Sequence, residues 1–261
     1  MKQWNGLMAK EWMLWKWQIV IAIGITVIGL FAIPSIMGPL TKDDPKFVFE
    51  MTMVFGFMVI LTGAIIPAIT FATMFNRDMK QPDIWLHSTA SAYVLIGVKC
   101  VVAACIGAIA LVVPALVLAI RFAITDNLDV TFDELAFFGS WFIVLFFATS
   151  LMLLATAVFF IVIDRLLKPY LKGFSIVATG ILVVLAVRLF GEIKSTAFYE
   201  RFIHNGNFDL LELKNSKLEI NENSYIYMDL TLSIGNTLFD LLLTVLLFVV
   251  AVTLFEKKVR V

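Results

Sequence analysis

Six apolar runs, at about 19–37, 51–75, 100–120, 137–163, 174–190 and 232–255, constrain this chain more than anything else in it. Crossing about 30 Å of hydrocarbon as a helix takes roughly 20 residues, and a backbone in lipid must satisfy its own N–H and C=O groups. The runs therefore predict an all-α membrane protein with six transmembrane helices, folded as a single domain over 1–261. Composition agrees: 61% of the 261 residues are hydrophobic and 15% are charged. A soluble domain would ordinarily hold about 45–50% apolar residues.

Six crossings put both termini on one side. With that side inside, the inner segments hold Lys2, Lys10, Lys16, Arg77, Lys80, Lys99, Arg165, Lys168, Lys172, Lys257, Lys258 and Arg260. The two short outer loops hold Lys42, Lys46 and Arg121. Twelve basic residues against three predicts that both termini are cytoplasmic.

The polar stretch 76–93 lies between the second and third runs and organises the inner face. It leaves the membrane at Arg77, Asp78 and Lys80 and re-enters near Lys99. Pro82 suits the first turn of a short helix, because its missing N–H is not needed there. Ile84, Trp85 and Leu86 would hold that helix on a protein surface or on lipid headgroups. Residues 1–18 contain four of the six tryptophans, with Trp4, Met8, Trp12 and Trp15 at helical spacing. This predicts an N-terminal elbow helix lying at the inner surface. A signal peptide is the alternative, though its flank is normally shorter and poorer in Trp.

Around this polar stretch the chain resembles the permease subunits of ABC-2 type transporters. Their pattern is Leu-Leu-Ser-x-Pro-x-Ser followed by apolar residues and Lys; Trp85, Leu86, Ser91 and Lys99 fall at matching positions. Thr89 stands in place of the usual Pro and Ala92 in place of a frequent Arg. The six-run layout extends the resemblance over nearly the whole chain. The resemblance implies a bacterial exporter in which two such subunits, as a homodimer or heterodimer, dock cytosolic ABC ATPase subunits. Asp83, Ile84, Trp85, Leu86, His87, Ser88 and Ser91 would then form a coupling helix seated on the ATPase. ATP and Mg would belong to that ATPase, with no cofactor and no metal on this chain. The expected cargo is an amphipathic peptide or another amphiphile. Membrane lipid is the other expected partner, and no nucleic acid is. A sensor or immunity permease that exports nothing would share this fold, and a secondary transporter is the other alternative.

Further along, Pro67 in the second run frees a backbone carbonyl and predicts a kink, with Thr62 and Thr70 available to satisfy it. That kink is either a hinge or an ordinary feature of a membrane helix. Gly97, Gly107 and Pro114 in the third run predict close helix packing. Asp133 is the expected start of the fourth helix, which should end at Asp164-Arg165. In the loop beyond, Leu166, Leu167 and Tyr170 form a second cytoplasmic contact for a soluble partner, or else the loop is simply a basic stop. Residues 193–231 predict an outer insertion: a short helix in STAFYERFIH, a hairpin turning at Asn215-Ser216, and a strand in SYIYMDLTLSI.

Charged and polar groups inside the runs are few. Asp240 lies in the sixth run with Asn236 and Thr244 one turn to either side. Such a stripe is a translocation path or gate, or else a structural hydrogen bond near the headgroups. Arg188 would pair with Glu192 or Asp240, or snorkel to the headgroups. Cys100 and Cys105 read as free packing thiols, and His87 and His204 are too far apart for a metal pair. No Walker loop, H-E-x-x-H, G-x-S-x-G or C-x-x-C occurs, so the chain is expected to be a non-catalytic membrane subunit.

Overall fold

The computed structural model describes residues 2–37, 45–80, 90–125, 131–203, 207–209 and 231–258. Eight helices account for most of them. They are α1 (Lys2–Met37), α2 (Pro45–Gly63), α3 (Ile66–Asp78), α4 (Ala92–Ile124), α5 (Phe132–Leu171), α6 (Ser175–Lys194), α7 (Ala197–Ile203) and α8 (Ile234–Lys258). Strands β1 (Asn207–Asp209) and β2 (Thr231–Ser233) pair antiparallel, with Phe208 opposite Leu232. Five helical stretches are long and apolar enough to cross a membrane. The chain is thus a nearly all-helical protein of the multi-pass membrane type.

The helices overrun the apolar runs, because nothing at the ends of those runs stops a helix. The clearest case is α1, a single helix of 36 residues and about 54 Å. The expected separate elbow at 1–18 is corrected accordingly: residues 2–18 continue straight into the span. Trp4 packs on Gly97, so this segment lies along the bundle. Likewise α5 runs through Arg165 to Leu171, past its expected end. Pro169 removes one hydrogen bond in the last turn only, and the leucines and lysines around it tolerate helix. The chain then reverses through a 3₁₀ turn at Lys172–Phe174, where Lys172 takes φ 48°. The Ser175 hydroxyl donates to Asp164 Oδ1 at 2.8 Å, closing the α5–α6 hairpin. This reversal lies within one helical stretch of 63 residues, Phe132–Lys194.

The kink expected at Pro67 is present: α2 and α3 are separated by a turn at residues 64–65, and Pro67 lies in the first turn of α3. The Thr62 hydroxyl donates to the Met58 and Val59 carbonyls, in its own preceding turn. At the start of α5 the cap is Thr131, one turn ahead of Glu134 in a reciprocal capping box, with Asp133 inside the first turn.

Helix α4 is the centre, packing against α1, α2, α3, α5 and α8. Small residues let it do so. A Cβ on Gly107 would overlap the ring of Pro67, so only glycine permits α3 to approach here. The core joins Phe71 and Phe75 of α3, Ile96 of α4, Val158 and Val162 of α5, and Val252 and Phe255 of α8. The Phe75 and Phe255 rings meet edge to face at 5.7 Å.

Side-chain contacts sort the helix ends. Glu11–Lys99, Arg165–Asn76 and Tyr93–Thr253 gather the start of α1, the α3–α4 junction, the α5–α6 turn and the end of α8. At the opposite end Arg121 donates to the Phe31 carbonyl at 3.0 Å and to Ser35, and the Phe122 ring lies between Phe49 and Phe132.

Candidate functional site

Four charged side chains meet inside the first of these ends. Lys99 Nζ lies 2.6 Å from Glu11 Oε1 and 2.7 Å from Asp78 Oδ2. Arg77 Nη2 reaches Glu11 Oε2 at 2.6 Å, and its Nε lies 3.9 Å from Asp78 Oδ1. Each acid therefore faces both bases, and the ring closes with no net charge. Lys99 and Glu11 retain only 3% and 4% side-chain exposure. Buried charges persist only when paired and hydrogen-bonded in this way.

Local structure explains the convergence. Trp4, Met8, Glu11 and Trp15 share one face of α1, and the three apolar members pack on Val98, Val102 and Ile106 of α4. Glu11 is the polar interruption of that stripe. Arg77 and Asp78 end α3, and Lys99 sits two turns into α4. The ring thus pins both ends of segment 79–91 to α1. Sequence reading placed Arg77, Asp78 and Lys99 at the water boundary and passed over Glu11. Its signal was an acid between Met8 and Trp15, on a face otherwise suited to packing.

Of the expected coupling residues, Asp83, Ile84, Trp85, Leu86, His87 and Ser88 lie outside the described residues. Ser91 is the N-cap of α4, its Oγ accepting from the Val94 N–H. Leu166, Leu167 and Tyr170 are helical, as the last turns of α5, where a loop was expected. They also diverge: Leu166 packs on the core, while Tyr170 is 85% exposed.

At the other end, Asn236, Asp240 and Thr244 do share a face of α8, but two of them are committed elsewhere. Asn236 Oδ1 accepts from the Tyr199 hydroxyl at 2.5 Å, and the Thr244 hydroxyl donates to the Asp240 carbonyl at 2.7 Å. Asp240 Oδ1 is buried without a hydrogen-bond partner among the described residues. Arg188 is exposed and, among the described residues, pairs with neither Glu192 nor Asp240. Segment 193–231 contains the expected short helix, as α7, whose Tyr199 ring packs on Phe239. Of the strand expected over 224–234, the part described as strand is β2, paired with β1; residues 224–230, the Asn215-Ser216 turn and His204 lie outside the described residues. Cys100 and Cys105 are free thiols. Among the described residues, no three His, Cys, Asp or Glu side chains gather as a metal site.

With four mutually satisfied charges, the ring offers no free nucleophile or base. Its geometry suits mechanical attachment. No protein-family model matches this chain, and no curated protein or solved structure shows significant similarity to it.

Proposed function

We propose that this chain is the membrane-spanning permease subunit of an ATP-driven exporter of the ABC-2 type, carrying amphipathic peptides or similar amphiphiles. The observation that carries the reading is the ring of Glu11, Arg77, Asp78 and Lys99, in which Glu11 and Lys99 are buried. A segment that takes up force from a cytosolic ATPase needs stiff attachment to the bundle at both its ends. The ring supplies it for residues 79–91, the stretch that carries the family resemblance at Trp85, Leu86 and Ser91. The proposed topology counts the α5–α6 hairpin as two crossings, which makes six, with both termini cytoplasmic. The contacts that gather the start of α1 and the end of α8 at one end are compatible with that count.

The deciding experiment is purification of the tagged chain from its native membrane, with ATPase activity assayed in the purified complex. An ATP-hydrolysing subunit should accompany the wild type. Burying one large apolar side chain away from water contributes roughly 1.5–3 kcal/mol, so Trp85→Ala/Leu86→Ala should weaken association about tenfold or more. Absence of any ATP-hydrolysing partner would overturn the reading. Topology is checked separately with single cysteines at Asn215 and Lys258 in a chain lacking Cys100 and Cys105. An impermeant thiol reagent should label the first in intact cells and the second only after permeabilisation.

A further inference from the structure

A cleft of about 570 Å³ opens between the end of α3, the second half of α5 and the start of α6. Its walls change character along α5. Asp164, Arg165 and Lys168, within about a turn of one another on α5, line one end together with Asn76 of α3. Below them the lining is apolar, through Phe160 and Ala157 to Leu153, with Val183 opposite on α6. From Lys168 to Leu153 is 15 residues of helix, or about 22 Å. One leaflet's hydrocarbon is about 15 Å thick, so the cleft reaches from headgroup level through the leaflet.

Its polar end is built but incompletely used. Arg165 Nη2 donates to Asn76 Oδ1 at 2.5 Å, and the guanidinium lies 6.0 Å from the Phe75 ring centre. Arg165 Nε is nevertheless buried without a hydrogen-bond partner, as is the Thr179 hydroxyl farther down the same cleft. Lys168 is exposed and makes no ion pair among the described residues. Asp164 carries the one opposing charge, and it accepts from Ser175 in the hairpin turn. Two cations against one carboxylate leave the rim with one positive charge over a deep apolar floor.

We infer that this cleft binds one anionic phospholipid, with its phosphate against Arg165 and Lys168 and an acyl chain along Phe160, Ala157, Leu153 and Val183. A phosphate supplies acceptors for guanidinium N–H groups of Arg165 beyond the one that Asn76 takes, and for Lys168. The apolar floor requires a chain attached to it, which a soluble anion lacks. The inference is independent of the transport reading, because it concerns only the α5–α6 hairpin and the bilayer beside it.

The test is native mass spectrometry of the full chain in detergent, with dioleoyl phosphatidylglycerol or dioleoyl phosphatidylcholine added at equal concentration. The wild type should retain the anionic lipid about 25-fold more than the zwitterionic one, since each of the two cations contributes on the order of a fivefold preference. Arg165→Gln/Lys168→Gln should abolish the preference, while Lys257→Gln, exposed on α8, should keep it. Ala157→Trp, which fills the floor, should lower retention of both lipids. Lys168→Gln alone removes an exposed side chain with little risk to folding, and should cost several-fold in preference even if the double variant fails to fold. Excess glycerol phosphate should not displace the lipid. Equal retention of the two lipids by the wild type would overturn the proposal. So would loss of preference in Lys257→Gln, which would mean diffuse surface charge, or displacement by glycerol phosphate, which would mean a soluble ligand.

Discussion

Two acids at opposite ends of this bundle are treated in opposite ways. Glu11 is held between Lys99 and Arg77 at 2.6 Å each, inside a ring that spans three helices. Asp240, on α8, has one carboxylate oxygen shut from solvent with no hydrogen-bond donor among the described residues. A satisfied acid in a low-dielectric site is a fastening, since every route to moving it leaves a charge behind. An unsatisfied buried oxygen costs the fold free energy that a donor would recover. Charge fastens one end of the bundle, and the other leaves a buried polar atom unpaired among the described residues.

The largest expected effect comes from breaking the ring. Glu11→Ala leaves Lys99 facing Asp78 alone and Arg77 without its closest partner. Removing one member of a buried pair typically costs about 3–5 kcal/mol. Thermal unfolding in detergent should show a lowered midpoint, and Glu11→Met/Lys99→Met should recover part of the loss, because the remaining Arg77 and Asp78 balance in charge whereas Glu11→Ala leaves two cations against one acid. An unshifted midpoint for Glu11→Ala would demote the ring from a fastening to an incidental contact.

An uncharged lesion separates fastening from ordinary packing. Gly107→Ala pushes a methyl group into the Pro67 ring at the α3–α4 seam. Overpacking of this kind costs about 1–3 kcal/mol. The expected result is a smaller drop in unfolding midpoint than for Glu11→Ala, with α3 remaining attached through Asp78. If Gly107→Ala proved the more damaging, close packing rather than charge would be what secures α3.

Asp240→Asn should have the smallest effect on stability, within about 1 kcal/mol, because that oxygen has no bond to lose. Its effect should appear instead in export of an amphipathic peptide into inverted vesicles, which should fall while the ATP-hydrolysing partner still co-purifies. Normal export with a lowered unfolding midpoint would return Asp240 to a structural role and erase the contrast with Glu11.

The membrane class was legible from the sequence because the bilayer imposes a length and a composition that few soluble chains imitate. The kink ahead of Pro67, the close packing at Gly107 and the short helix around Tyr199 were legible for equally local reasons: a missing N–H, a missing Cβ, and a turn-bounded amphipathic segment. Helix ends were less so. At residue 18 and again at Arg165 the chain turns from apolar to polar or back, but polarity alone does not interrupt the i→i−4 ladder, so α1 and α5 run on.

What the tertiary structure alone decided is the pairing of charges. Glu11 lies 88 positions from Lys99 in the chain and 2.6 Å from it in space. In sequence, Arg77, Asp78 and Lys99 look like side chains marking the edge of the membrane, and Glu11 like one polar residue of an interfacial helix. Only the packing of α1 along α4, set by Trp4, Met8 and Trp15, brings them inward together. Asp240 is the converse case. The sequence singled it out as an acid among apolar residues, but its neighbours Asn236 and Thr244 could not be read as partners or bystanders until Tyr199 and the α8 backbone were seen to claim them. Charge and hydropathy are properties of residues, whereas satisfaction of a buried polar group is a property of distances, and distances between helices exist only in the folded chain.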